Sequence, residues 1–225
     1  MRDAPLRAVI FDLDGTLIDS APDIHAAGNA VLKDEGLAPV TLDQARGFIG
    51  AGAQIYIARL ITAQAGPLPD AARADLTARM LANLLHRYET AFSLTRLYPG
   101  VAETLAALRD MGLTLGLCTN KPEAPTRAVL RHFGMQDLFA TIIGGDTLPV
   151  RKPDPAPLHR AMADLGVTTC LYVGDSEVDA QTAVAAGQNF ALFTVGYRKT
   201  PVADLPHALA FSDYADLVAH VKNAM

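Results

Sequence analysis

The stretch FDLDGTLIDS, residues 11–20, follows the apolar run Ala8-Val9-Ile10-Phe11, and its reading decides the fold. The run predicts a buried strand. Side chains along a strand alternate with period two, so Asp12 and Asp14 leave its end pointing the same way. Two carboxylates in one small space are unfavourable unless a cation stands between them or one of them keeps a proton. Beyond residue 20 the pattern turns helical, as in Leu81, Leu84, Leu85 and Tyr88, whose spacing by threes and fours makes one apolar stripe. No convincing strand follows until Leu113.

From Tyr98-Pro99-Gly100 onward, strands and helices alternate. A helix with Val101, Leu105 and Leu108 is stopped by Gly112 and followed by LTLGLC. A second helix ends near Phe133-Gly134. Next come TIIGG, a helix from about Pro155 to Leu165, the strand CLYVG, a helix stopped by Gly187 and the strand FALFTV. Alternation of this kind predicts an α/β fold with a doubly wound, mainly parallel, Rossmann-like sheet. The helical block cuts the first strand off from its fellows. The expected organisation is therefore a catalytic core of residues 1–18 and 97–225, with an all-helical cap of residues 19–96 inserted after the first strand. Crossings near 16–20 and 93–99 permit a hinge.

Composition narrows the field of functions. The chain has 225 residues, half of them hydrophobic, which is enough for a full core. Nineteen basic against 24 acidic residues leave a net charge of −5, with no basic tract of the kind that binds nucleic acid. A small soluble partner is expected instead. Cys118 and Cys170 lie in apolar strand-like runs without zinc-ligand spacing and read as core thiols. MRDAPLR at the start is followed by too few apolar residues for a signal peptide, and no stretch reaches the length of a membrane span, so the expected compartment is the cytoplasm.

Open parallel sheets bind ligands at the carboxyl ends of their strands. Here those ends carry Asp12 and Asp14, then Thr119-Asn120-Lys121, then Lys152 in RKPDP, then Gly174-Asp175-Ser176. Carboxylates, a hydroxyl, an amide and a cation are what phosphoryl transfer to a carboxylate requires. Asp12, Asp14, Asp175 and Asp179 around a phosphate dianion exceed what Lys152 alone offsets, so a divalent metal is expected. Oxygen ligands and phosphate suit Mg²⁺, with Asp12 and Asp175 as its ligands. Each residue also has a plainer reading: strand-end aspartates as turn residues, Thr119 and Asn120 as helix caps, Lys152 as a solvated cation, and Ser176 with Asp179 as a capping box.

DLDGT at 12–16, TN at 119–120, KPDP at 152–155 and GDSEVD at 174–179 resemble, in order, the four motifs of the haloacid dehalogenase superfamily, and the resemblance spans the chain. Within it, PDI at 22–24, RGFIGAGAQIYIARL at 46–60 and DTLPVRKPDPAPL at 146–158 are similar to the phosphoglycolate phosphatase subfamily. The resemblance implies a strand-order-reversing sheet under a mobile helical cap. It also implies that Asp12 attacks phosphorus to form an aspartyl phosphate while holding Mg²⁺. Asp14 then serves as proton shuttle and gives its carbonyl to the metal. Thr119, the Asn120 amide and Lys152 hold the phosphoryl oxygens, with Thr16, Ser176 and Asp179 in support.

The expected activity is a Mg²⁺-dependent phosphomonoesterase on a small phosphate ester, foremost 2-phosphoglycolate. A phosphatase or phosphomutase of a sugar phosphate or pyrophosphate would use the same core residues. Asp14 opposes a dehalogenase, and chain length and the helical block oppose a non-enzymatic phospho-acceptor switch. Selectivity is assigned to the cap, at Gly50-Ala51-Gly52 before a helix carrying Ile55, Ile57 and Leu60, with Arg46 and Arg59 assisting. A simple loop between cap helices is the competing reading of those glycines. The six histidines show no ligand spacing, and the sequence leaves monomer and homodimer open.

Overall fold

A computed structural model of the chain describes residues 6–88 and 90–224. Residues 1–5, 89 and 225, which include the first part of MRDAPLR and the outer ends of the expected core, lie outside the described residues. The first strand, β1 (Ala8–Phe11), leads through a tight turn to the two-residue strand β2 (Ile18–Asp19). Four helices follow: α1 (Ala21–Asp34), α2 (Leu42–Phe48), α3 (Ala53–Gln64) and α4 (Asp70–Tyr88). The chain returns through β3 (Arg96–Leu97), which pairs antiparallel with β2.

The remainder alternates. It runs α5 (Val101–Asp110), β4 (Thr114–Cys118), α6 (Glu123–His132), β5 (Thr141–Ile143), α7 (Ala156–Asp164) and β6 (Leu171–Gly174). It then continues through α8 (Glu177–Ala185), β7 (Asn189–Phe193), a 3-10 turn (Val202–Asp204), β8 (Leu209–Phe211) and α9 (Tyr214–Ala224). The strands form one parallel sheet in the order β5-β4-β1-β6-β7-β8. The chain thus winds outward in one direction from β1 to β4 and β5, and in the other through β6, β7 and β8. That reversal opens a crevice at the carboxyl end of β1.

Alternation along β1 explains why both faces of the sheet are covered. Val9 and Phe11 join a cluster with Leu105 and Leu108 of α5 and Leu217 and Val221 of α9. Ala8 and Ile10 join the opposite cluster with Leu158 and Ala161 of α7 and Ala180 and Ala183 of α8. A strand buried on both sides must be apolar throughout, and AVIF is. Cys118 and Cys170 are both buried free thiols.

The four inserted helices keep a separate core. On α4, Leu76, Met80, Leu84 and Tyr88 are buried at every fourth position, with Leu81 and Leu85 packed beside them. That stripe meets Ile24 and Val31 of α1 and Ile57, Leu60 and Ile61 of α3. The architecture is a doubly wound α/β sheet with an all-helical cap. The strands β2 and β3 were not foreseen, because two residues are too few to show alternation. Among the described residues no helix is long and apolar enough to cross a membrane.

Candidate active site

The turn after β1 sets the position of its two aspartates. The Asp12 N–H donates to Val173 O on β6 at 2.8 Å, prolonging the strand register. The chain then coils on itself, with Leu17 N–H donating to Leu13 O at 2.9 Å and Gly15 N–H to Ile18 O at 2.8 Å. Gly15 makes the coil possible: its φ is +89°, and a Cβ there would lie 2.5 Å from Asp175 Oδ2. Asp12 and Asp14 both line one cleft, as the period-two reading expects. Each carboxylate has its own cation there. Lys152 Nζ lies 2.9 Å from Asp12 Oδ1, and Lys121 Nζ lies 3.3 Å from Asp14 Oδ2.

The other strand ends converge on the same point. Beyond β4, Thr119 lines the cleft with Asn120 and Lys121. The Asn120 side-chain amide donates to Lys152 O at 3.0 Å and to Gly50 O at 3.1 Å, bridging core and cap. Lys152, 3% exposed, donates to Asp179 Oδ1 at 2.7 Å and to the Tyr172 hydroxyl at 2.8 Å. Burial opposes its charge, but Asp12 and Asp179 outweigh burial and hold the ammonium above the ordinary lysine value. Asp179 has two tasks. One oxygen anchors Lys152, while the other receives the Ser176 hydroxyl at 2.6 Å and the Ser176 N–H at 3.1 Å in a capping box at the start of α8. The capping-box reading and a place in the site are therefore both realised by one side chain.

Two buried side-chain oxygens of the site have no hydrogen-bond partner among the described residues, Asn120 Oδ1 and Asp12 Oδ1. Lys152 Nζ is close to Asp12 Oδ1 but out of hydrogen-bond alignment, so this buried atom is charge-paired and still has no hydrogen-bond donor. Asp12, Asp175 and Asp179 each offer a carboxylate oxygen within 4.8 Å of the others. Asp175 is fixed by the Thr16 hydroxyl at 2.9 Å and the Tyr197 N–H at 2.6 Å. Burial pushes Asp12 up to about 6 against the pull of Lys152, with Asp179 adding to the rise. Burial, then the charges of Asp179 and Asp12, hold Asp175 well above the usual carboxylate range. Burial pushes Asp179 up most strongly, but the Lys152 charge together with the hydrogen bonds from Lys152, Ser176 and Tyr172 holds it below that range. Fully ionised, the four carboxylates (Asp12, Asp14, Asp175, Asp179) against two ammoniums (Lys121, Lys152) would leave an excess of two negative charges, which burial resists by raising Asp12 and Asp175. A donor set of this hardness and charge fits a divalent cation.

The cap closes the other side. Ile24, Ile49, Gly50, Gly52, Ala53, Tyr56 and Tyr88 line it. Gly52, with φ +90°, precedes α3 as its N-cap. Arg59 borders the neighbouring pocket with Asp12, Asp14 and Asp175. Arg46 lines neither of these pockets; it is half exposed and paired with Asp19 at 3.5 Å. The sequence places Lys121 at a strand end without a role, and Tyr172 and Tyr197, whose N–H holds Asp175, are not singled out in it. Lys121 sits beside the recognised Thr119-Asn120 pair, which was its only signal. Tyr172, within the apolar run CLYVG, reads as core and is in fact also a ligand of Lys152.

A reversing parallel sheet, four polar strand ends and a helical insert over them define a phosphoryl-transfer type of hydrolase. Residues 6–187 match the haloacid dehalogenase-like hydrolase family, and the chain belongs to it. It is 53% identical over 210 residues to a phosphoglycolate phosphatase of Cereibacter sphaeroides, covering 93% of this chain and 94% of that one. It is 49% identical over 219 residues to the phosphoglycolate phosphatase of Rhodobacter capsulatus, covering 96% of both. A crystal structure described as a predicted phosphoglycolate phosphatase of Haemophilus somnus superposes with a TM-score of 0.89 at 32% identity, covering 97% of this chain and 99% of the other.

Proposed function

We propose that the protein is a cytoplasmic, Mg²⁺-dependent phosphomonoesterase that hydrolyses 2-phosphoglycolate to glycolate and phosphate. The observation that carries the chemistry is the Asp12 carboxylate: it lines the cleft at the end of β1, its buried Oδ1 beside the Lys152 ammonium. A carboxylate whose one oxygen is held by an ammonium, on a residue that lines the cleft, is placed to offer its other oxygen as nucleophile. The substrate is proposed from the names of the relatives at 49–53% identity.

In this reading Asp12 attacks phosphorus in line; the new P–O bond makes an aspartyl phosphate as the bond to the glycolate oxygen breaks. Asp14 gives its proton to the departing alkoxide, and as a carboxylate takes one from the water that then attacks phosphorus and frees Asp12. Lys152, Thr119 and the Asn120 backbone amide hold the non-bridging oxygens, and Asp179 with Tyr172 fix the Lys152 ammonium for that purpose. A magnesium ion on Asp12, Asp175 and the Asp14 carbonyl would supply charge compensation between nucleophile and phosphate. Thr16 and Ser176 orient the carboxylates they bond. We assign the core to residues 1–18 and 97–225 and the closing cap to 19–96, with the loop at Gly50–Gly52 facing the substrate's carboxylate. The test is phosphate release with Mg²⁺ over a panel of 2-phosphoglycolate, ethyl phosphate, glucose 6-phosphate and pyrophosphate. Faster turnover of either of the last two overturns the substrate, and no turnover of any of the four overturns the activity.

A further inference from the structure

Tyr197 belongs to the core by sequence and to the cap by packing. It lies on the loop after β7, yet its ring is buried among the cap helices. Its backbone N–H donates to Asp175 Oδ2 at 2.6 Å. Its hydroxyl accepts from the N–H groups of Ser20 and Ala21, both at 2.9 Å, and donates to Asp19 Oδ1 at 2.7 Å. A phenol has one proton to give and two lone pairs to receive, so this hydroxyl is fully engaged.

Those partners are not arbitrary. Ser20 and Ala21 open α1, the first cap helix, and free amides at a helix start need acceptors. Ser20 does not cap α1 with its own side chain; its hydroxyl donates to Asp14 Oδ1 at 2.5 Å. Tyr197 takes over the acceptor role from across the molecule. On its other side the backbone lies against the acidic cluster so closely that a side chain at Gly196 would overlap Asp175. One residue thus touches Asp175 through its main chain and the first turn of the cap through its hydroxyl.

We infer that Tyr197 is a positioning residue that couples a cation held at Asp12 and Asp175 to the seating of the cap at the start of α1. The inference rests on the proposed cation site. Ordering of Asp175 by the cation fixes the Tyr197 amide, and the hydroxyl passes that order to Ser20 and Ala21. Linkage requires the reverse as well: a seated cap tightens the cation.

The test is hydrogen exchange on the full chain with MgCl₂ alone, in wild type and Tyr197→Phe, with Mg²⁺ affinity measured by calorimetry. In wild type, Mg²⁺ is expected to slow exchange at Ser20 and Ala21 by about fivefold or more. In Tyr197→Phe the same amides should exchange fast with or without Mg²⁺, while β1 and β4 stay protected and Mg²⁺ affinity falls by no more than the factor by which Mg²⁺ slows exchange in wild type. An equal Mg²⁺ response in both proteins overturns the inference. So does a wild type that binds Mg²⁺ with no change at Ser20 and Ala21, or a variant whose affinity falls about tenfold further than the wild-type exchange response accounts for, which would make Tyr197 part of the cation site itself. A wild type that binds no Mg²⁺ refutes the cation site and the coupling together, and calorimetry separates that outcome from the others. If β1 and β4 lose protection in Tyr197→Phe, Asp19→Ala serves instead. It removes the acceptor of the hydroxyl, and because Asp19 Oδ1 also accepts from the Ala21 N–H at 3.3 Å the response is read at Ser20, where it should at least halve; an unchanged response there overturns the coupling.

Discussion

The two walls of the cleft are built on opposite principles. On the core wall every charged side chain is held by several partners: Lys152 by Asp12, Asp179 and Tyr172, Asp175 by Thr16 and Tyr197, Asp14 by Lys121 and Ser20. On the cap wall the lining is apolar or aromatic, and the Tyr56 hydroxyl is turned inward to Ile24 O at 3.2 Å. What the cap offers a ligand is shape and the glycine loop before α3. The difference teaches where each property resides. Groups fixed in advance stabilise developing charge without reorganising, so rate is set on the strand ends. In the proposed function, selectivity is left to the cap wall.

The sharpest way to break this division is Asp12→Asn. It should lower kcat by on the order of 10⁴-fold or more while the circular dichroism spectrum stays native, and substantial residual turnover would remove the nucleophile from its assigned place. Asp14→Asn should cost roughly 10²–10⁴-fold in kcat, since it serves both half-reactions. A loss below about tenfold would move proton transfer to another group.

On the cap wall the expected effects are smaller and fall on discrimination. Phosphoglycolate should exceed ethyl phosphate in kcat/KM by about ten- to a hundredfold, the worth of one charge-assisted hydrogen bond to its carboxylate. Gly50→Val, placed where φ is +109°, should strain the loop and erase most of that margin while sparing p-nitrophenyl phosphate. Equal losses on all three substrates would mean that the loop serves the chemistry after all.

The acidic cluster gives a milder test through pH. Burial raises Asp12 from 3.8 to about 6, so the folded, metal-free protein holds that proton more tightly than the unfolded chain does. This stabilisation is complete below 3.8 and is lost as pH rises through about 6. Mg²⁺ competes with the same proton. Saturating Mg²⁺ should therefore raise Tm by several degrees at about pH 7.5 and by less than about half as much at pH 5. A larger gain at the lower pH would place the cation elsewhere. The smallest effect belongs to Arg46→Ala: the side chain is 42% exposed and outside both pockets, so kcat/KM for phosphoglycolate should change by less than about threefold.

The strands β1, β4, β6 and β7 were legible because burial on both faces demands continuous apolar runs, and the polar clusters stood directly behind them. The helical insert was legible from its period. Other parts carried no local signal. The three-residue β8 lies beyond the last strand read from the sequence, and α9 with it. Tyr197 meets Ser20 across 177 residues and Lys121 meets Asp14 across 107, so only the folded chain brings them together. Arg46 pairs with Asp19 at the end of β2 at 3.5 Å and lines neither pocket, a contact its charge alone does not reveal.

The small ribbon of β2 and β3 has a consequence for how such a molecule can change over time. Ile18 faces Leu97 and Asp19 faces Arg96, so the insert leaves and re-enters the sheet at adjacent points. Asp23 ties the two passages together, accepting from the N–H of Leu94 at 2.9 Å and from the N–H and hydroxyl of Thr95, both at 2.6 Å. A segment whose ends already touch can be lengthened, shortened or exchanged as a cassette without displacing the strands that carry the reaction. One hydrolytic core can in this way acquire a new clientele by grafting at a single seam.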